Sequence, residues 1–123
     1  MNGVAYWFFT LAVIYVSLGM IWGIQMSITG DHSLSPAHAH LNLVGWVTTG
    51  IFGIYYHLVP QAAERQLARV HLLVATAGVF LMVPGIVLAL TRKFEPLAAA
   101  GSVVTLLSML IFLYTVLSNR VRA

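Results

Sequence analysis

Two histidines one residue apart, His38 and His40, stand at the head of a long uncharged run that begins Ser35-Pro36-Ala37-His38-Ala39-His40-Leu41-Asn42-Leu43-Val44-Gly45-Trp46. Imidazole titrates near neutral pH and is an axial ligand for heme iron. An ionisable side chain just inside a membrane is costly, so a functional role is its default reading. Successive helical residues turn by about 100°, which places the two rings about 200° apart. They suit two separate partners better than one shared ion. Three further histidines lie elsewhere: His32 just before the run, His57 near its end, and His71 beyond it.

The element that must carry His38 and His40 is a helix. Ser35 suits its N-cap, and Pro36 suits its first position, where a missing N–H costs nothing. No charge follows as far as Ala63. His38, Asn42, Gly45, Thr49, Phe52, Gly53 and Tyr56 fall on one face at helical spacing, mostly polar or small, which should point inward. Gly45 and Gly53 leave room there for a flat cofactor or a neighbouring helix. His40, Val44, Val47, Ile51 and Ile54 form a second, apolar stripe. That stripe suits a heme edge or lipid, and His40 favours a subunit or a heme.

The whole chain has the same character. Of its 123 residues 60% are hydrophobic and 7% charged, with mean hydropathy +0.93. Soluble domains carry about 25% charged residues. The nine charged side chains sit in four short places: Asp31; Glu64, Arg65 and Arg69; Arg92, Lys93 and Glu95; Arg120 and Arg122. The intervals have the length of a bilayer crossing, about 20 residues. The expected fold is an all-α integral membrane protein, one domain over 1–123, with helices over about 4–28, 36–59, 67–90 and 96–118. Cysteine is absent, which excludes disulfides and thiolate metal sites. The net charge of +3 is scattered at helix ends and is no nucleic-acid patch. The N-terminal run lacks a charged leader and a cleavage site, and is expected to stay as a helix.

In the first helix Tyr6, Trp7, Phe8 and Phe9 suggest an interfacial belt. Gly19 and Gly23 form a notch that reads first as helix packing. Gln25 and Met26 could touch a cofactor, but a Met at helical spacing is usually ordinary packing. His32 reads as a solvated loop residue, with a peripheral copper or zinc site as the lesser alternative. His57 lies 17 residues beyond His40, about 25 Å of rise, hence at the opposite membrane surface. With His71 it could build a second heme or metal site. The plainer reading makes both of them interfacial histidines. Pro84-Gly85 should kink the third helix, and the fourth reads as scaffold. Arg65, Arg69, Arg120 and Arg122 outnumber Arg92 and Lys93, so the positive-inside rule puts both termini in the cytoplasm.

The run from His38 to Pro60, HAHLNLVGWVTTGIFGIYYHLVP, resembles the second transmembrane helix of the heme–copper oxidase and nitric oxide reductase catalytic subunit. There too a histidine at the outer end precedes an Asn-like residue, a Trp/Gly-rich apolar stretch, and an aromatic ending closed by proline. The first helix, with Gly19, Gly23 and Gln25, resembles the one before it. The His-x-His spacing is similar to a later helix of that family, whose two histidines serve a low-spin and a high-spin heme. The third helix here has no adjacent His-His pair for copper, and no histidine is spaced with a tyrosine like the oxidase cross-link. The resemblance therefore implies heme b on His38 and His40, while copper and oxygen reduction are not expected. It implies a bacterial or archaeal inner membrane and a quinol or cytochrome as electron partner. That family's twelve helices form three arcs of four, so a four-helix relative would rebuild them as a C3 homotrimer. Each heme would then lie between His38 of one copy and His40 of the next, beside Asn42, with Gly45 and the Val44/Val47 stripe as walls.

The leading expectation is b-type heme binding for electron transfer or for sensing redox state, O2 or NO. Its rivals are a cofactor-free structural or assembly protein, and a metal- or proton-handling transporter, for which no buried carboxylate is present.

Overall fold

The computed structural model describes residues 1–120, and among these all regular structure is helical. Helix α1 covers Gly3–Thr29, and three abutting segments follow: α2 (Ser35–His40), a π segment (Leu41–Thr48) and α3 (Thr49–Leu58). A single turn, α4 (Pro60–Ala63), leads into α5 (Gln66–Arg92), and α6 covers Pro96–Ser118. Arg122, one of the cations behind the expected orientation, lies outside the described residues. Helices α1, α5 and α6 are each long and apolar enough to cross a membrane. The run from α2 to α3 keeps right-handed helical backbone through its joints at His40, Thr48 and Thr49.

The helix ends follow local chemistry. Gly30 ends α1 at φ 70°, a left-handed position that a side chain would resist, and its N–H reaches Met26 O at 2.9 Å. Val59 leaves the helical region at φ −125°, ψ 72°, as a residue before proline must. The expected N-cap is corrected by one residue. Leu34 holds that position and Ser35 is already helical, its hydroxyl donating to His32 O at 2.8 Å.

The helices pair as two close hairpins. Along α1 and the segment opposite, Gly19 meets Asn42, Gly45 meets the Tyr15 ring, and Gly53 meets the backbone of Phe9. In the second hairpin Gly78 lies against Thr105, Gly85 against Ala98, and Gly101 against Met82. At Gly101 a methyl would sit 2.6 Å from the Met82 backbone nitrogen, so only glycine permits this approach. Small residues let backbones touch where lipid supplies no hydrophobic force between helices. The notch reading of Gly19 and Gly23 thus holds, with the histidine helix as the element received. Helix α5 runs on through Pro84.

Two apolar clusters join the hairpins. One gathers Phe8, Phe52, Tyr56 and Ala68 at the end where α1 and α5 begin; the other surrounds Tyr15, Leu41 and Val79. Outside them Leu18, Ile21, Ile28, Leu73, Phe80 and Leu117 stand exposed. Such a continuous apolar exterior fits a bilayer and not water.

Candidate functional site

His38 turns towards α1. Its Nε2 lies 2.9 Å from Gly19 O and its ring meets Trp22 edge-on at 5.9 Å. A carbonyl only accepts, so Nε2 carries the proton and donates to Gly19. Asn42 Nδ2 stands 3.4 Å from the same nitrogen, while Asn42 Oδ1 is buried and unpartnered. Two donors cannot share one hydrogen bond. Turning the amide over places its oxygen beside Nε2–H, and the assignment of amide atoms permits this. The approach is possible only because Gly19 and Gly23 lack side chains. His38 thus packs against α1 of its own chain.

His40 faces away from that contact and is half-exposed. Its Nδ1 lies 2.7 Å from Pro36 O, one turn earlier. Nδ1–H is therefore the donor, and neutral His40 keeps the Nε2 lone pair free. A backbone carbonyl holding Nδ1–H is the usual support of a ligating imidazole, since it fixes the tautomer and the ring orientation. Beyond it the outer face is apolar and open, with Val47, Ile51 and Ile54 exposed.

Below the two histidines the regular α-helix expected over 36–59 is replaced at Leu41–Thr48 by π winding. Thr48 and Thr49 stabilise it locally, their hydroxyls donating five residues back to Leu43 O at 2.9 Å and Val44 O at 3.1 Å. π segments are rare and occur often at functional sites. The inward face still holds Gly45, Thr49, Phe52, Gly53 and Tyr56, all buried. The room expected beside Gly45 is filled, because the Tyr15 ring lies 3.0 Å from where a Cβ would stand.

The largest departure from expectation is His71. Read from sequence as interfacial, it is fully buried, with its Nδ1 2.8 Å from the Tyr56 hydroxyl. Rings of Phe8, Phe52 and Phe112 enclose it at centroid distances of 5.0, 4.4 and 5.8 Å. The sixth residue of α5 would meet headgroups on a lone helix. Here α1 and α6 close over it. His71 Nε2 has no partner. His57, next to Tyr56, is exposed, so the structure does not bring His57 and His71 to one ligand. His32 is exposed in the loop, its Nδ1 3.3 Å from Gly30 O. Among the described residues no group of three or more His, Cys, Asp or Glu converges on a metal position.

The Tyr56–His71 pair is what sequence reasoning missed. Its signal was present in Ala68, His71, Ala75 and Gly78, which recur every three or four residues and mark the buried face of α5. Asp31, outside the apolar helices, accepts the Ser33 N–H at 3.0 Å, and this bond holds its carboxyl below the usual carboxylate range. No family model, curated protein or solved structure matches the chain.

Proposed function

We propose that the chain is a four-span membrane protein that binds b-type heme through His40, serving electron transfer or the sensing of redox state or a small gas. The observation that carries this reading is the contact of His40 Nδ1 with Pro36 O at 2.7 Å, which engages Nδ1 and leaves Nε2 as the ring nitrogen available to a ligand beside an open apolar face. Heme bound there supplies one-electron chemistry, or a gas-binding position if a single imidazole ligates it. Within this proposal Ser35–Leu58 is the fourth crossing. At about 1.5 Å per residue it matches a bilayer core of ~30 Å.

The donors of one chain fit a single axial ligand. His38 would ligate through Nε2 only after giving up Gly19 O, and Gly45 is occupied by Tyr15. In the proposed arrangement His40 ligates, whereas His38 and Asn42 fix the helix against α1. In a C3 homotrimer each copy's His40 would then hold one heme, three per trimer. The resemblance to the heme–copper oxidase subunit supports that assembly, a bacterial or archaeal inner membrane, and a quinol or cytochrome as electron partner, while the excess of Arg65, Arg69, Arg120 and Arg122 over Arg92 and Lys93 supports cytoplasmic termini.

The test is hemin titration of the purified full chain, followed by visible spectroscopy. Wild type should give a Soret shift saturating at one heme per chain. His40→Ala should abolish it, and His71→Ala should not. A wild-type protein that takes up no hemin overturns the proposal and favours a cofactor-free structural role. That rival draws on His38 and His71, both of which already have partners inside the chain.

A further inference from the structure

A groove opens where α1 and α5 begin, at the end of the bundle away from His38 and His40. Two hollows meet there and share Gly3, Val4, Ala63 and Glu64 as walls. The larger, about 450 Å³, adds Trp7, Arg69 and Leu72, and the smaller, about 140 Å³, runs on to Tyr56 and His57.

We propose that the larger hollow binds a phospholipid with a primary-ammonium headgroup, a phosphatidylethanolamine, Glu64 receiving the ammonium and Arg69 the phosphate. Three observations converge on that occupant. The first is polarity along the groove. Glu64 and Arg69 stand at the helix ends, whereas Trp7 lies one turn deeper than Gly3 and Leu72 nearly one turn deeper than Arg69. The lining passes from charged to aromatic and aliphatic, as a lipid does from headgroup to chain, and Trp favours that boundary.

The second is the charge pair. One carboxylate and one guanidinium line the same hollow, both exposed, and among the described residues no ion pair within 4.0 Å joins them. A zwitterion with phosphate and ammonium a few bonds apart complements both at once. The third is hydrogen bonding. Guanidinium presents a planar fork of donors to phosphate. A primary ammonium offers three N–H donors to a carboxylate, whereas the trimethylammonium of choline offers none.

The site is independent of heme, and its test uses the full chain without added hemin. The protein is reconstituted with equal amounts of phosphatidylethanolamine and phosphatidylcholine of matched acyl chains, and native mass spectrometry counts the retained lipids. Wild type should keep the ethanolamine lipid about tenfold over the choline lipid, the factor expected of one charge-assisted hydrogen bond. Glu64→Gln should bring that ratio near one. Arg69→Gln should lower both adducts and keep the ratio. Glu95→Gln, at the opposite end of the bundle, should change nothing. Thermal melting of each variant in detergent should match wild type, these side chains being exposed. Equal retention of both lipids by wild type overturns the proposal. So does an ethanolamine preference that survives Glu64→Gln or vanishes with Glu95→Gln.

Discussion

Removing the Tyr56 hydroxyl probes the energetics of the most buried polar contact among the described residues. Tyr56 is 1% and His71 0% exposed, and their 2.8 Å bond satisfies the only ring nitrogen of His71 that has a partner. In Tyr56→Phe both nitrogens of a buried imidazole lack partners among the surrounding rings of Phe8, Phe52 and Phe112. Leaving a buried polar group unsatisfied costs about 1–3 kcal/mol. The ring stays in place, so the cavity contribution is small.

The reciprocal change, His71→Leu, adds a packing loss that would obscure the hydrogen bond if read alone. Combining both substitutions removes donor and acceptor together, and the double-mutant cycle cancels the packing part. Interhelical hydrogen bonds in membranes average about 0.6 kcal/mol and reach about 1.7, because the unfolded chain in lipid finds other partners. The aromatic enclosure places this pair near the upper figure. The assay is equilibrium unfolding in mixed micelles, titrated with a denaturing detergent and followed by tryptophan fluorescence. Tyr56→Phe should shift the equilibrium at least fivefold, and the double mutant should be more stable than the two single losses added. A coupling energy indistinguishable from zero would refute the reasoning.

Other outcomes follow from the helix contacts and the loop. Gly101→Ala should destabilise by about 1–3 kcal/mol in the same titration, since its methyl meets the rigid Met82 backbone at 2.6 Å. Gly50→Ala should be neutral or stabilising by up to about 1 kcal/mol, because its methyl would meet Ala12 Cβ at an ordinary 3.7 Å while the helix loses a glycine. The Asp31 carboxyl, held below its ordinary value of 3.8 by Ser33, contributes to the loop above the ordinary carboxylate range. That contribution should fade as pH falls through 3.8 and below, seen as faster hydrogen exchange at the Ser33 amide. Exchange that stays slow through that range, after correction for intrinsic rates, would show that the carboxylate does not hold the turn.

The helices were legible in the sequence because lipid imposes a one-dimensional rule. Uncharged runs of crossing length, separated by charged connections, place α1, α5 and α6 within two residues of their observed ends. Periodicity also placed Gly45, Thr49, Phe52 and Tyr56 on the inward face of one helix, and they are buried there. The opposed directions of His38 and His40 likewise follow from helical geometry alone. Where each ring goes after leaving its helix is different in kind. The Gly19 carbonyl that receives His38 lies 19 residues away, and the Tyr56 hydroxyl that meets His71 lies 15 away. Both contacts arise only when helices have docked, and a lone helix would leave both rings at an interface. The free Nε2 of His40 has a local origin, a bond within one turn, yet whether that nitrogen faced lipid or protein depended on which face α1 covered. Sequence determined which segments enter the membrane and which residues share a face, while docking decided which histidines became structural and which kept a nitrogen to offer.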